Sequence, residues 1–181
     1  MDSLILEDEK EQKFLESRLN KIKIFSRKNL LTRLLFRASI HGDNASTFHN
    51  LCDYKTNLLF LVKTKKNYRF GGFTSVSISE SKDGSCAMDK DAFCFSLNLS
   101  KIYNIIKDKV AIYINRNEII TFLMDIFKIY DNFFKKESIC NDSRDGNKYI
   151  CYNGQNKKYE INGGEKVFLV QELEVFEIIF F

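Results

Sequence analysis

The stretch HGDNASTFHNLC, residues 41 to 52, carries His41, His49 and Cys52 close together in the chain. If ASTFHNLC is a short helix, His49 and Cys52 stand at i,i+3 on one face, and the acid Asp53 follows immediately. A thiol beside an imidazole can act as a nucleophile with its base, or the two can be ligands of a metal. The first role also needs an oxyanion site and an orienting group, and the second needs two further ligands, none of which stands at a usual spacing. The same residues also fit a structural role, in which Cys52 packs in the core as a small hydrophobe and His49 hydrogen-bonds to backbone. Because neither chemical site is complete, the structural role is the expectation, with no metal and no cofactor. The weak catalytic candidates are His49, Cys52 and Asp53.

Two other features invite a chemical reading. YRFGGFTSVSI, residues 68 to 78, holds Gly71 and Gly72 side by side in a chain with only 8 glycines. A phosphate loop would run from such glycines into a helix, often through Lys-Ser/Thr, but here Phe73-Thr74-Ser75-Val76 continues as strand. Interior strand glycines more commonly mark a bulge or a close backbone approach, and that is the expectation for this pair. Arg37 lies in the apolar run LLFRAS, where a charge is costly to bury unless paired. Asp43 and Asp53 are the acids nearest it in sequence; a structural ion pair is expected over an anion-binding role.

These residues need elements to position them. Residues 7 to 22 read as a helix: Leu15, Leu19 and Ile22 recur at helical spacing, with acids in the first turns and bases in the last. The narrow stripe suits a helix laid across a surface. A strand is expected from about Arg33 to Ala38, ended by Gly42-Asp43, which also caps the helix ASTFHNLC with Ala45, Phe48 and Leu51 or Cys52 on one side. LLFLVKT (58 to 64) is apolar throughout, as in a central strand, and pairs across the turn KKN with YRFGGFTSVSI. Beyond a polar loop at 79 to 91, AFCFSLN, KIYNII, KVAIYI and ITFLMDIFKIY are further strand candidates. A second loop at 135 to 147 leads to KYICYN, a turn-rich segment, and the closing strand VFLVQELEVFEIIFF. About nine strands in a meander, with few helices, predict an antiparallel sandwich flanked by helices.

Composition narrows the classes. With 181 residues, 44% apolar and 29% charged, the chain is the size of one domain with a substantial core. The net charge of +4 comes from bases, mostly Lys, scattered among acids, so no basic stripe marks a nucleic-acid surface and no such partner is expected. The 5 cysteines are odd in number and lack a CxxC pair, which fits neither a disulfide framework nor a zinc knuckle. The acidic start MDSLILEDEKEQKF is unlike a targeting peptide, and no apolar run reaches the roughly 20 residues of a spanning helix. A cytoplasmic protein without membrane insertion is expected. Absence of Pro and Trp, with abundant Lys, Asn, Ile and Phe, is the usage of an A- and T-rich genome.

LLFRASIHGDNASTFHNLCD (34 to 53), YRFGGFTSVSI (68 to 78), DAFCFSLN (91 to 98) and NGGEKVFLVQELEVFEI (162 to 178) occur in the order and approximate spacing of the TLDc domain. The sequence resembles that family over residues 30 to 178, with residues 1 to 29 as an N-terminal helix and lead-in of the kind seen in protist members, and 30 to 181 as the domain. The residues matching the family's hallmarks are Arg37, Ser39, Gly42, Phe48, His49, Cys52, Asp53, Phe70, Gly71, Gly72, Ser75, Leu173, Glu174 and Val175. Ile40-His41 stands where the family prefers Arg-Asp, Phe176 replaces a Trp, and Leu123 replaces a glycine in a TFG-like turn. The resemblance implies a two-sheet antiparallel sandwich and a noncatalytic interaction module. It also implies a protein partner, the vacuolar-type proton ATPase, and a contribution to oxidative-stress resistance. An enzyme using Cys52 with His49, a hydrolase or redox-active protein, is the alternative, and a structural subunit of a larger assembly is a third reading.

Overall fold

The computed structural model describes residues 1–22, 30–78, 84–105, 109–122, 126–141 and 157–180. Along the chain it contains α1 (Glu9–Leu19), β1 (Leu30–Arg37), α2 (Ala38–His41), α3 (Ala45–Cys52), β2 (Leu58–Thr64), β3 (Arg69–Thr74), β4 (Ser85–Met88), β5 (Phe93–Ser96) and β6 (Lys101–Asn104). There follow β7 (Val110–Ile114), β8 (Glu118–Phe122), β9 (Phe127–Tyr130), β10 (Ser138–Cys140), a 3-10 turn (Glu160–Asn162), β11 (Val167–Phe168) and β12 (Val170–Phe180). The strands form two antiparallel six-stranded sheets, one in the order β1-β12-β2-β3-β5-β6 and the other β11-β10-β9-β8-β7-β4. This is the two-sheet sandwich expected from the sequence.

More strands are present than the sequence suggested, because several are too short to announce themselves. β4 lies within the predicted loop at 79 to 91, and β10 within that at 135 to 147. ITFLMDIFKIY divides into the end of β8 and β9. The closing apolar run is also two strands: β11 pairs with β10 in the second sheet, and β12 then enters the first between β1 and β2. KYICYN and Leu123 lie outside the described residues.

The first sheet is apolar on both faces. Along β2, Leu58, Phe60 and Val62 face the core between the sheets, where they meet Phe36, Phe48, Phe70, Phe122 and Phe127. The alternate residues Leu59 and Leu61 face outward, together with Phe73, Phe93, Phe95, Phe176 and Ile178. A strand buried on both sides needs no polar alternation, which is why LLFLVKT reads as continuous. The outer face is covered by the N-terminal arm, whose Ile5, Leu15, Leu19 and Ile22 are buried against it. Burying each such side chain contributes roughly 1.5–3 kcal/mol. The arm's helix starts at Asp8, whose carboxylate accepts from Glu11 N at 2.9 Å.

The glycine pair sits in the middle of this sheet. β3 pairs with β2 from Arg69 to Thr74, and with β5 from Phe70 to Phe73, without any register shift. The bulge expected as one option is therefore absent here, and close approach is what the glycines serve. A Cβ on Gly71 would run into the Phe60 carbonyl and lie 2.6 Å from Phe95 Cζ, while one on Gly72 would lie 2.8 Å from Phe122 Cε1 in the opposite sheet. The two sheets can close at this point only if position 72 has no side chain.

Gly71→Ala and Gly72→Ala should each destabilise the fold by about 1–3 kcal/mol or more, the cost of forcing atoms into a packed core. Phe122→Leu, which shortens the opposing ring, should recover part of the loss in Gly72→Ala but none in Gly71→Ala, whose obstacle is backbone. Urea denaturation of the singles and doubles checks this; equal rescue of both would mean that Phe122 does not set the sheet spacing.

Candidate functional site

α3 places the residues that could do chemistry. It begins at Asn44, whose side-chain oxygen accepts from Ser46 N at 2.8 Å and Thr47 N at 3.3 Å. Gly42-Asp43 is thus not its cap. Gly42 ends α2 instead, with φ +81 and ψ −167, a conformation open to glycine alone. Asp43 reaches across to Phe134 N at 3.1 Å.

His49 is 2% exposed. Its Nδ1 lies 2.8 Å from Asp53 Oδ1, one helical turn on, and its Nε2 donates toward the carbonyls of Glu118 at 2.9 Å and Asn115 at 3.2 Å. Both ring nitrogens face acceptors supplied by the protein, so neither is placed to take a proton from a substrate. The ring instead ties α3 to the turn between β7 and β8. Cys52 is fully buried beside Phe48 in the inter-sheet core. Burial, and after it the charge of Asp53, pushes its thiol well above the usual range. A nucleophilic cysteine needs the opposite shift and access. A shallow cavity of about 220 Å³ is lined by His49, Asn50, Asp53 and the exposed Tyr54, and Cys52 does not reach it. Among the described residues no group of three or more His, Cys, Asp or Glu is arranged to hold a metal ion.

Arg37 is paired, but with neither acid near it in sequence. A register shift in β1 between Leu34 and Phe36 brings Arg37 opposite Glu174 on β12. Its Nε donates to Glu174 Oε1 at 2.7 Å, and Glu174 is completely buried. The same carboxylate accepts from Leu4 N at 2.9 Å and Ser3 Oγ at 2.5 Å, while Arg37 Nη2 donates to the Asp2 carbonyl at 2.7 Å. The pair therefore anchors the start of the N-terminal arm. A second anchor that sequence reading missed is Arg69 on β3, which binds the Ile5 carbonyl, Glu7 and Glu11. Its signal was available: Arg69 opens the run Phe70-Gly71-Gly72-Phe73, as Arg37 follows Leu34-Leu35-Phe36, so each is a charge set against apolar neighbours in a strand.

The other singled-out residues are dispersed through the frame. Ser39 N donates to Glu172 Oε1 at 3.1 Å. Phe70, Leu173 and Val175 are inter-sheet core. Ser75 donates through both its N, at 2.6 Å, and Oγ, at 2.7 Å, to Asp89, which also accepts from Thr74 Oγ1 at 2.9 Å. Asp89 was not foreseen, since nothing in SCAMDKD separates it from a solvated loop acid. His49 and Cys52 share a helix face and Arg37 meets Glu174, but the set as a whole does not line one cleft.

The TLDc domain model matches residues 2 to 179. The chain belongs to the TLDc domain family. No curated protein matches it. In this TLDc chain Gly71 and Gly72 permit close packing, His49 braces α3, and Arg37 with Glu174 holds the arm. No helix among the described residues is long and apolar enough to cross a membrane.

Two measurements follow from this geometry. Arg37→Ala or Glu174→Ala should each cost about 3–5 kcal/mol, as expected when one charge of a buried pair is left alone, while Arg37→Met with Glu174→Leu should cost much less. Additive losses would show that the two do not act as a pair. For the thiols, Cys86 is exposed whereas Cys52, Cys94 and Cys140 are buried, with all three raised by burial. Native labelling should modify Cys86 first and reach these three only on unfolding. Above the ordinary thiol value of 9.0 the unfolded chain loses protons that the folded chain keeps. The thiol contribution to stability is therefore complete below pH 9 and falls as pH rises beyond it, and Cys52→Ala should make that fall shallower in denaturation curves.

Proposed function

We propose that this TLDc protein is a noncatalytic, cytoplasmic interaction module that binds the vacuolar-type proton ATPase and through it contributes to oxidative-stress resistance. The observation that carries the noncatalytic part is the state of His49 and Cys52: the one pair with nucleophile-and-base spacing consists of a buried thiol shifted away from thiolate and an imidazole committed at both nitrogens. Membership of the family supports the pump as partner. Recognition then falls to the surface around a rigid sandwich.

Mixing the purified chain with purified vacuolar-type proton ATPase should give a complex on sedimentation and a change in the association of the pump's membrane and soluble sectors. If the chain neither co-sediments nor alters sector assembly, the pump is not its partner. Rapid, pH-dependent alkylation of Cys52 in the folded protein would instead restore the thiol-enzyme reading.

A further inference from the structure

Each sheet ends in two edge strands, and three of these four edges are short: β6 and β4 have 4 residues each and β11 has 2. The fourth, β1, has 8 residues and pairs with β12 on one side only. Short edges protect a sheet from pairing with another chain, and so do bulges and charges along the strand. In β1 the bulge comes only after Leu34, and beyond it Phe36 is covered by Phe48 of α3. Before the bulge the edge reads Leu-Leu-Thr-Arg-Leu, and its one charge, Arg33, is paired with Glu177. Among the described residues, no backbone group of this stretch bonds outside the β1–β12 ladder.

A cavity of about 170 Å³ lies against the same stretch, close to the roughly 150 Å³ that takes one benzene ring. Gln12, Glu16 and Leu19 of α1 line one side of it, and Leu30, Leu31 and Thr32 the other. Successive side chains of a strand point to opposite faces, so a cavity that touches three residues in a row meets the strand along its backbone edge. On the opposite face Leu31 stands beside Ile179, and the two are 53% and 36% exposed. Met1 closes one end of the cavity, its amino group donating to Gln12 Oε1 at 3.4 Å. Glu16 accepts from Gln12 Nε2 at 2.8 Å and forms no ion pair with a basic side chain among the described residues.

We propose that β1 is a docking edge for an extended segment of a partner protein, which adds to the first sheet as a further strand. The backbone from Leu30 to Leu34 supplies the hydrogen bonds, and an aliphatic side chain of the segment enters the cavity. Its neighbours in the segment cover Leu31 and Ile179 on the other face, and a flanking basic residue meets Glu16. A second copy of this chain is a poorer occupant, because pairing β1 with β1 about a two-fold axis brings Glu16 against Glu16. The inference does not depend on the pump, so its failure leaves that reading intact.

The probe is the peptide acetyl-Lys-Thr-Val-Leu-Val-Thr-Lys-amide, fluorescently labelled and titrated with the full chain. Saturable binding is expected, with amide NMR shifts centred on Leu30 to Leu34. A strand added to an edge turns every second N–H toward it. N-methylation of the Leu and both Thr in one version, and of both Val in another, therefore separates the two sets: one version should lose roughly tenfold or more in affinity and the other should keep it. Exchange of both Lys for Glu should weaken binding to a similar extent. Leu31→Asp, at an exposed position that leaves the fold intact, should do the same. The proposal is overturned if the peptide does not bind saturably, if the two methylated versions bind alike, if the Lys and Glu peptides bind alike, or if Leu31→Asp leaves the affinity unchanged. A concentration-dependent dimer on sedimentation that Leu31→Asp abolishes would assign the edge to a second copy and overturn it as well.

Discussion

A sheet that is apolar on both faces cannot stand against water on either, and the organisation of this TLDc protein follows from that constraint. The inner face of the first sheet is closed by the second, through a core dense in phenylalanine. The outer face is closed by the N-terminal arm, which is short and mostly polar, so its few apolar residues are supplemented by charge. Glu174 and Arg69 both project from the outer face, and each is met by arm residues: Ser3 and Leu4 at one, Ile5, Glu7 and Glu11 at the other. Charges at such sites cost much to bury and are tolerated because they are paired and hydrogen-bonded. They make the position of the arm specific where its hydrophobic area alone would leave it free to slide.

The same economy of side chains explains the residues that looked chemical. Gly72 is bare because Phe122 from the other sheet occupies the space above it, and Gly71 because the Phe60 carbonyl and the Phe95 ring do. His49 is a strut: it spans from α3 to the β7–β8 turn and donates to the carbonyls of Asn115 and Glu118 there. Asp89 performs the equivalent task for the end of β3, accepting from Thr74 and Ser75. These residue types are shared by active sites and by demanding pieces of architecture, because both need strong hydrogen-bonding groups held in one geometry. Partner, burial and charge state distinguish the two uses, and here they point to architecture.

A rigid frame of this kind leaves recognition to its surface. Among the described residues a few buried polar side-chain atoms find no partner within the frame: Asn162 Nδ2, the hydroxyls of Thr121 and Ser138, and Glu118 Oε2. Elsewhere in the frame, the polar groups singled out from the sequence have their partners within the chain.

The sequence by itself determined what local periodicity and composition encode: a β-rich single chain, a lead-in helix with a narrow apolar stripe, the β2–β3 hairpin, a core role for Cys52 and backbone partners for His49. It also located the buried cation at Arg37, since an arginine in an apolar strand needs a counter-charge. Tertiary structure alone decided which counter-charge that was, because pairing Arg37 with Glu174 depends on a register shift in β1 against a strand more than a hundred residues away. For the same reason it decided that Gly71-Gly72 is a point of close approach and not a bulge, that the closing apolar run changes sheets at Leu169, and that Asp89 closes the end of β3. Each of these rests on contacts between segments remote in the chain, and the identity of a residue carries no record of what will lie across from it.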